Sequence, residues 1–206
     1  MKTWEKYSDF LLKGEWHVHT CYTDGKNNID EYCQKAVDIG LPLIAFTEHV
    51  RKNLDYDFHS FLSDIEIAKE KYDLIILSGC EAKVLPYGEL DVSTGVLKEI
   101  DYPIFAFHSF PKDTDLYFES LKKVLKNRYM NTWAHPGAFL MKNGLELPEE
   151  QLVDIFHSMN KMDVLLEINN KYQVPSDIWK NLSSKLGVKF VKGSDVHNVE
   201  HLFFNI

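Results

Sequence analysis

At 206 residues, with 45% hydrophobic and 13% aromatic side chains, the chain can bury a large core, which excludes a disordered or low-complexity protein. A formal net charge of -8 with no Lys/Arg-rich run argues against a nucleic-acid-binding surface. No apolar run approaches the roughly 20 residues that span a bilayer, and residues 1–7 lack the apolar segment of a signal peptide, so a cytoplasmic protein is expected.

In chain order, residues 3–13 read as a short amphipathic helix with Trp4, Tyr7, Phe10 and Leu11 on one face. Glu15 to His19 alternates apolar and imidazole side chains as a strand does, so His17 and His19 project together. Asp24-Gly25 then marks a turn that folds Asp24 back toward them. Ile29 to Gly40 is a helix, with Asp30 and Glu31 in its first turn. The apolar strand Pro42–Thr47 finishes at Glu48-His49, a helix covers about Phe61–Tyr72, and the buried strand Leu74–Cys80 ends on Glu81. Alternation turns Cys80 away from Glu81, and Cys21, Cys33 and Cys80, odd in number and without a Cys-x-x-Cys pair, fit a reducing compartment.

Ala82 to Asp91, with Pro86 and Tyr87-Gly88-Glu89, reads as a hairpin or turn. Further strands follow at Pro103–Phe107, before His108, at Asn131–Ala134, before His135, at Asp163–Asn169, and at Val188–Gly193, before Asp195 and His197. Helices at about Leu116–Lys126, Pro148–Asn160 and Ser176–Leu186 separate them. No repeat or linker interrupts the pattern, so a single domain over residues 1–206 is expected. Seven or so continuous apolar strands alternating with helices indicate an α/β protein with a parallel sheet buried on both faces. The number of units favours a closed barrel, and no Gly-x-Gly-x-x-Gly follows the first strand to suggest a dinucleotide fold.

Nearly every strand ends in a residue able to ligate metal: His17, His19, Asp24, His49, Glu81, His108, His135, Asp195 and His197. In a parallel barrel these ends share one face, where active sites form. Six of the nine histidines lie at strand ends, while His59, His157 and His201 fall on helices or loops and read as surface or structural residues. Nine candidates exceed the three protein ligands of one catalytic zinc and suit two or three ions. Without a thiolate, the set is compatible with manganese, iron or zinc.

Taken in order, His17-Val18-His19-Thr20 with Asp24, Thr47-Glu48-His49, Gly79-Cys80-Glu81 with Gly88, His135-Pro136-Gly137, Glu167-Ile168-Asn169 and Gly193-Ser194-Asp195-Val196-His197 resemble the PHP (polymerase and histidinol phosphatase) metallophosphoesterases. The resemblance implies a distorted seven-stranded (β/α)7 TIM-like barrel over nearly the whole chain. It further implies one ion on His17, His19, Glu81 and Asp195, a second on Asp24, His49 and His197, and a third on His108, His135 and a bridging Glu81. Glu81, Asp195 and His197 are then the expected catalytic residues. Glu48 departs from the Asp often found before the histidine, which raises the question of how His49 is supported. Beyond Val199–Phe204, little is expected to follow His197 that could close the barrel bottom.

The chemistry so implied is hydrolysis of small phosphate monoesters, histidinol phosphate or related compounds and nucleotides among them, by a metal-activated hydroxide. Arg51, Lys83 and Lys112 lie near the strand ends as candidate substrate-phosphate contacts. Glu167 and Asn169 share an inward face, from which they could orient ligands or substrate or serve a structural role. Tyr22, Tyr87 and Phe110 are candidates to stack on an organic leaving group. Two alternatives stand beside this reading. One is an amidohydrolase-like metal hydrolase, which also begins with His-x-His; the other is a non-catalytic, metal-stabilised interaction module.

Overall fold

A computed structural model of the chain describes residues 2–203. Its strands are β1 (Glu15–Val18), β2 (Leu43–Val50), β3 (Ile75–Lys83), β4 (Tyr102–Ala106), β5 (Thr132–Trp133), β6 (Leu165–Asn169) and β7 (Phe190–Gly193). All pair in parallel in sequential order. The helices are α1 (Thr3–Lys6), α2 (Ile29–Asp38), α3 (Phe58–Lys71), α4 (Thr94–Glu99), α5 (Thr114–Val124), α6 (Ala138–Asn143), α7 (Glu149–Lys161) and α8 (Asp177–Lys185). The result is a nearly closed, distorted (β/α)7 TIM-like barrel. Where the sequence carries a capping signal, the helix starts there. Asn28 and Glu31 form a reciprocal capping box on α2, and Asp57, Ser93, Asp113 and Ser176 cap α3, α4, α5 and α8.

Side chains divide by strand alternation into two cores. Ile44, Phe46, Cys80, Phe105, Trp133 and Leu166 face the helices. Leu43, Ala45, Leu77, Ile104, Leu165 and Val191 fill the barrel interior. Cys80 is buried and free in the outer core, facing away from Glu81, as alternation requires. A register shift in β1 sets four residues, Glu15 to Val18, against three, Ile44 to Phe46. This bulge lets Trp16 join the interior core while His17 and His19 also face inward.

Residues 3–13 do not form one helix. The chain makes α1, then a 3-10 turn over Ser8–Phe10, and wraps the N-terminal end of the barrel. Trp4 and Leu11 enter the interior core, and Trp16 Nε1 donates to the Phe10 carbonyl at 3.0 Å. Lys2 Nζ donates to the carbonyls of Met130, Met162 and Asp163. This segment therefore covers the barrel bottom. Val199–His201 instead forms a 3-10 turn beside the loop after β1, with the Val199 N–H donating to Asn27 Oδ1; Phe204 lies outside the described residues. Trp4→Ala is expected to cost about 3–5 kcal/mol, as for other buried Trp truncations, measured by urea denaturation. A loss under about 1 kcal/mol would show that this plug does not support the core.

Closure between β1 and β7 uses a side chain in place of part of the ladder. The Lys192 N–H donates to the Leu11 carbonyl, Val196 N–H to His17, and His19 N–H to Val196. Between them, Ser194 N–H donates at 2.7 Å to the buried Glu15 carboxylate, which also accepts from His17 N–H. Burial pushes the Glu15 pKa up, while Lys192 and the Ser194 bond draw it down. No helix of the described residues is long and apolar enough to cross a membrane.

Candidate metal centre

Register brings the strand-end residues together. The β2–β3 ladder pairs His49 directly with Glu81, on the same inward face. His135 and Asp195 both lie just past their strands with positive φ, at 31° and 50°, a backbone conformation rarely adopted without functional cause. These kinks swing their side chains over the barrel mouth.

Three groups of donors result: His17, His19 and Asp195; His19, Asp24, His49 and His197; and His49, Glu81 and His108. Asp195 Oδ1 lies 3.2 Å from His19 Nε2, 3.6 Å from His17 Nε2 and 3.4 Å from His197 Nδ1. Asp24 reaches His49 Nε2 at 3.4 Å and His197 Nε2 at 3.3 Å, and lies farther from His19, at 4.0 Å. Glu81 Oε2 sits 3.0 Å from His49 Nδ1 and 3.2 Å from His108 Nε2, while Oε1 sits 2.8 Å from His135 Nε2. All nine residues singled out at the strand ends thus converge. Their partition differs in detail from the family-based expectation. Glu81 stands closer to His49 than to His17 or His19, and His19 borders two groups.

The donor set fits divalent cations. His19 Nδ1, His49 Nδ1 and Glu81 Oε2 are buried without a hydrogen-bond partner, which is costly unless something else satisfies them. His49 Nδ1 and Glu81 Oε2 are 3.0 Å apart yet misaligned for a mutual hydrogen bond. The Nε2 atoms of His17 and His19 lie within hydrogen-bond distance of each other, at 3.0 Å, on the same inward face. Lone pairs that converge in this way suit borderline ions with N and O ligands.

Electrostatics match. Burial lowers the His19 pKa to about 4, against the pull of Asp195, keeping the imidazole neutral as a ligand must be. Burial opposes protonation of His17, but Glu167 and Glu81 outweigh it and raise its pKa well above the ordinary value. Burial would likewise raise Glu81 and Asp195, yet the imidazoles hold both carboxyls well below the usual range. Without a metal, the centre balances anionic carboxylates against protonated histidines.

Glu167 anchors the first histidine. Its carboxylate accepts from His17 Nδ1 at 2.6 Å, from the His135 N–H, and from Asn169 Nδ2 at 3.0 Å. Room for it exists because Gly193, paired with Asn169 on β7, has no side chain. A Cβ there would overlap Glu167 Oε1 and lie 2.9 Å from His17 Cβ. A carboxylate behind a ligating imidazole fixes its tautomer and orientation. Glu167→Gln is expected to weaken zinc or manganese affinity about 10- to 100-fold, read by calorimetric titration, and unchanged affinity would refute the role.

Glu48 does not support His49. It points to the opposite face of β2 and accepts from Thr20 N–H at 2.7 Å and from Thr23 Oγ1, bracing the loop that carries Asp24. Burial pushes its pKa up to about 7, against these hydrogen bonds.

The expected phosphate contacts fare differently. Arg51 donates to the Val50 carbonyl and faces Asp91 at 3.8 Å, and Lys112 is exposed. Lys83 does share the inward face of β3 with Glu81, but makes no hydrogen bond to a candidate ligand among the described residues. Arg51 is drawn off by the turn after β3, and Lys112 by its place before the Asp113 cap of α5. The lysine that does touch the centre is Lys171, whose Nζ lies 2.7 Å from Asp195 Oδ2. Sequence reasoning passed over it, although it stands two residues past Asn169, as Lys83 stands two past Glu81. Tyr22 packs against Tyr56 and Phe61, and Phe110 against Phe107 and Tyr117, so both are partly buried aromatics packed against the core; Tyr87 is exposed. His59 and His157 are exposed on helices, and His201, exposed on its 3-10 turn, lines a cavity shared with Asp195 and His197.

Comparison with known proteins gives this geometry a context. Residues 15–171 match the model of the PHP domain, and the Gly193–His197 motif lies beyond the matched range. The DNA polymerase/3'-5' exonuclease PolX of Bacillus subtilis is 28% identical over 96% of this chain, which spans only 38% of that protein's length. An Acetivibrio thermocellus protein named a probable phosphatase is 29% identical, covering 88% of this chain and 78% of its own. Among solved structures, a histidinol phosphate phosphatase from Lactococcus lactis, in complex with zinc, L-histidinol and phosphate, superposes with a TM-score of 0.65. It is 19% identical and covers 91% of this chain and 88% of that one, a likeness of fold.

Proposed function

This chain belongs to the PHP domain family, and on that footing we propose that it hydrolyses small phosphate monoesters at a centre of two or three divalent ions. The observation that carries the reading is the convergence of six imidazoles and three carboxylates on one barrel mouth, with buried ligand atoms otherwise unpartnered. His17, His19 and Asp195 would hold one ion, and Asp24, His49 and His197 a second. Glu81 with His108 and His135 would hold a third. When bound, such ions supply a water of lowered pKa and Lewis acidity for the phosphoryl oxygens. The chain's own part is to keep nine ligands in place, through the Glu167–His17 bond and the two kinked strand ends, and to leave the mouth open at Asp24 and His108.

Zinc and a phosphate-bearing substrate are supported by the Lactococcus protein, which binds zinc, L-histidinol and phosphate. Glu81 and the late Asp195-x-His197 favour this chemistry over an amidohydrolase, which often relies on a strand-borne carbamylated lysine. Retention of the full donor set weighs against a non-catalytic module. The likeness to part of PolX adds one class to the test, a single-stranded oligonucleotide. Metal-loaded protein assayed for phosphate release should turn over histidinol phosphate or another small monoester, and not the oligonucleotide. Full metal loading with no release from any ester would sink the proposal.

A further inference from the structure

We propose that Lys171 is the phosphate-binding cation of this centre, its ammonium held on the outer oxygen of Asp195 and presented to a phosphoryl oxygen of the substrate. The inference rests on the phosphomonoesterase reading above. Asp195 divides its two oxygens between different partners. Oδ1 faces His17, His19 and His197, whereas Oδ2 faces Lys171 Nζ at 2.7 Å. Asp195 would hold an ion on the histidine cluster through the oxygen that faces it, Oδ1, which would leave Oδ2 to the lysine.

Lys171 also stands at the boundary a substrate must cross. Its side chain is 41% exposed, while Asp195 is 6% exposed. An ammonium offers three donors. One makes the short bond to Oδ2; its other contacts, to the Asp195 carbonyl and His197 Nδ1, are each 3.4 Å and weak. Those two donors can exchange onto an arriving phosphate at little cost. A lysine acts on phosphate as a point charge, which suits a site whose orientation is set by other ligands.

The backbone fixes this position independently of the ammonium. Asn169 and Val174 exchange two main-chain hydrogen bonds, at 2.8 and 3.2 Å. Tyr172 N–H donates to Asn169 Oδ1 at 3.0 Å, and Gln173 Nε2 to the Asn170 carbonyl at 2.6 Å. Asn169 also donates to Glu167, which holds His17, so the loop bearing Lys171 is tied to the metal ligands through one amide side chain. Tyr172 packs its ring edge-on to His135 at 5.2 Å, filling the space beneath the lysine. On a chain of net charge -8, with Asp24 exposed at the same mouth, a phosphate dianion needs a local cation besides the ions, and Lys171 is placed to be it.

The test is calorimetric binding of inorganic phosphate to the zinc-loaded full chain, with metal content measured in parallel. Lys171→Met is expected to weaken phosphate binding about 10- to 100-fold at unchanged zinc content, the range for one charged hydrogen bond. Lys171→Gln, which keeps a donor for Asp195 but no charge, should lose nearly as much, and Lys171→Arg should recover most of it. With p-nitrophenyl phosphate, KM should rise in step while kcat changes less. Unchanged phosphate affinity in zinc-loaded Lys171→Gln would overturn the inference. So would a loss of phosphate binding that only follows a loss of zinc, since Lys171 would then merely position Asp195. If the wild type binds phosphate through Lys171 but hydrolyses no monoester, the phosphatase reading fails and the contact stands.

Discussion

Glu81→Gln is expected to remove at least one ion from the loaded protein and to lower phosphate release by about 10²- to 10³-fold, the effect of losing one group at a charged transition state. Glu81 is 1% exposed and lies within 3.7 Å of five imidazoles: His17, His19, His49, His108 and His135. No other carboxylate among the described residues touches as many. Burial works against its charge, but His108 and His17 keep it ionised well below the ordinary carboxylate range. The amide would leave one oxygen for two groups of donors and set an NH2 against ring nitrogens that themselves seek a ligand. In the metal-free protein the same change strands protonated histidines without their buried counter-charge, a loss of about 3–5 kcal/mol for a broken buried pair. Metal analysis, turnover of p-nitrophenyl phosphate and a denaturation curve read the three effects separately. Wild-type stoichiometry together with wild-type turnover would exclude Glu81 from the centre.

The candidate site was legible because a parallel barrel converts a one-dimensional regularity into a three-dimensional one. Each strand is short, apolar and bounded by turn residues, and each ends on the same face, so a ligand-type residue at each strand end is enough to predict convergence. The convergence of His49 and Glu81 follows from this regularity, and the β2–β3 ladder pairs them directly. Asp24 required one more step, the Asp-Gly turn, and the structure places it nearer His49 and His197 than the His19 it follows. What stayed hidden depends on the partners across the barrel. Lys171 and Glu48 are ordinary charges until Asp195 and the Thr20–Thr23 loop come to face them. Residues 3–13 carry a helical pattern, but the need to cap an open barrel end overrides it, and the same aromatic residues serve as a plug. The bulge in β1 was likewise invisible, because alternation alone allows Trp16 and His17 only opposite faces. Helices α4 and α6, each 6 residues long, are too short for periodicity to reveal.

Gly25→Ala should silence the Asp24 end of the centre without altering any ligand side chain. A Cβ at this position would overlap the His19 carbonyl oxygen and come within 2.5 Å of its carbon and 2.8 Å of Thr20 Cα. All three are backbone atoms, so no rotamer change relieves the overlap. Nor can the loop slide away. Gly25 N–H donates to Thr20, Cys21 N–H to Asn27 and Lys26 N–H to His197, while His19 N–H is held by Val196 across the barrel seam. The strain must therefore fall on the turn itself, moving Asp24 out of reach of His49 Nε2 and His197 Nε2, now 3.4 and 3.3 Å from it. A displacement of about 1 Å at a reacting centre costs about 10²-fold in turnover, and the overpacking about 1–3 kcal/mol in stability. Metal analysis should show one ion fewer per chain. Asp24→Asn separates the two effects, because it deletes an exposed carboxylate and leaves the backbone alone. It should reproduce the loss of metal and turnover while keeping stability within about 0.5 kcal/mol of the wild type. If Gly25→Ala binds the full complement of metal and turns over normally, the tight loop after β1 does not position Asp24, and the second ion must be held by the histidines alone.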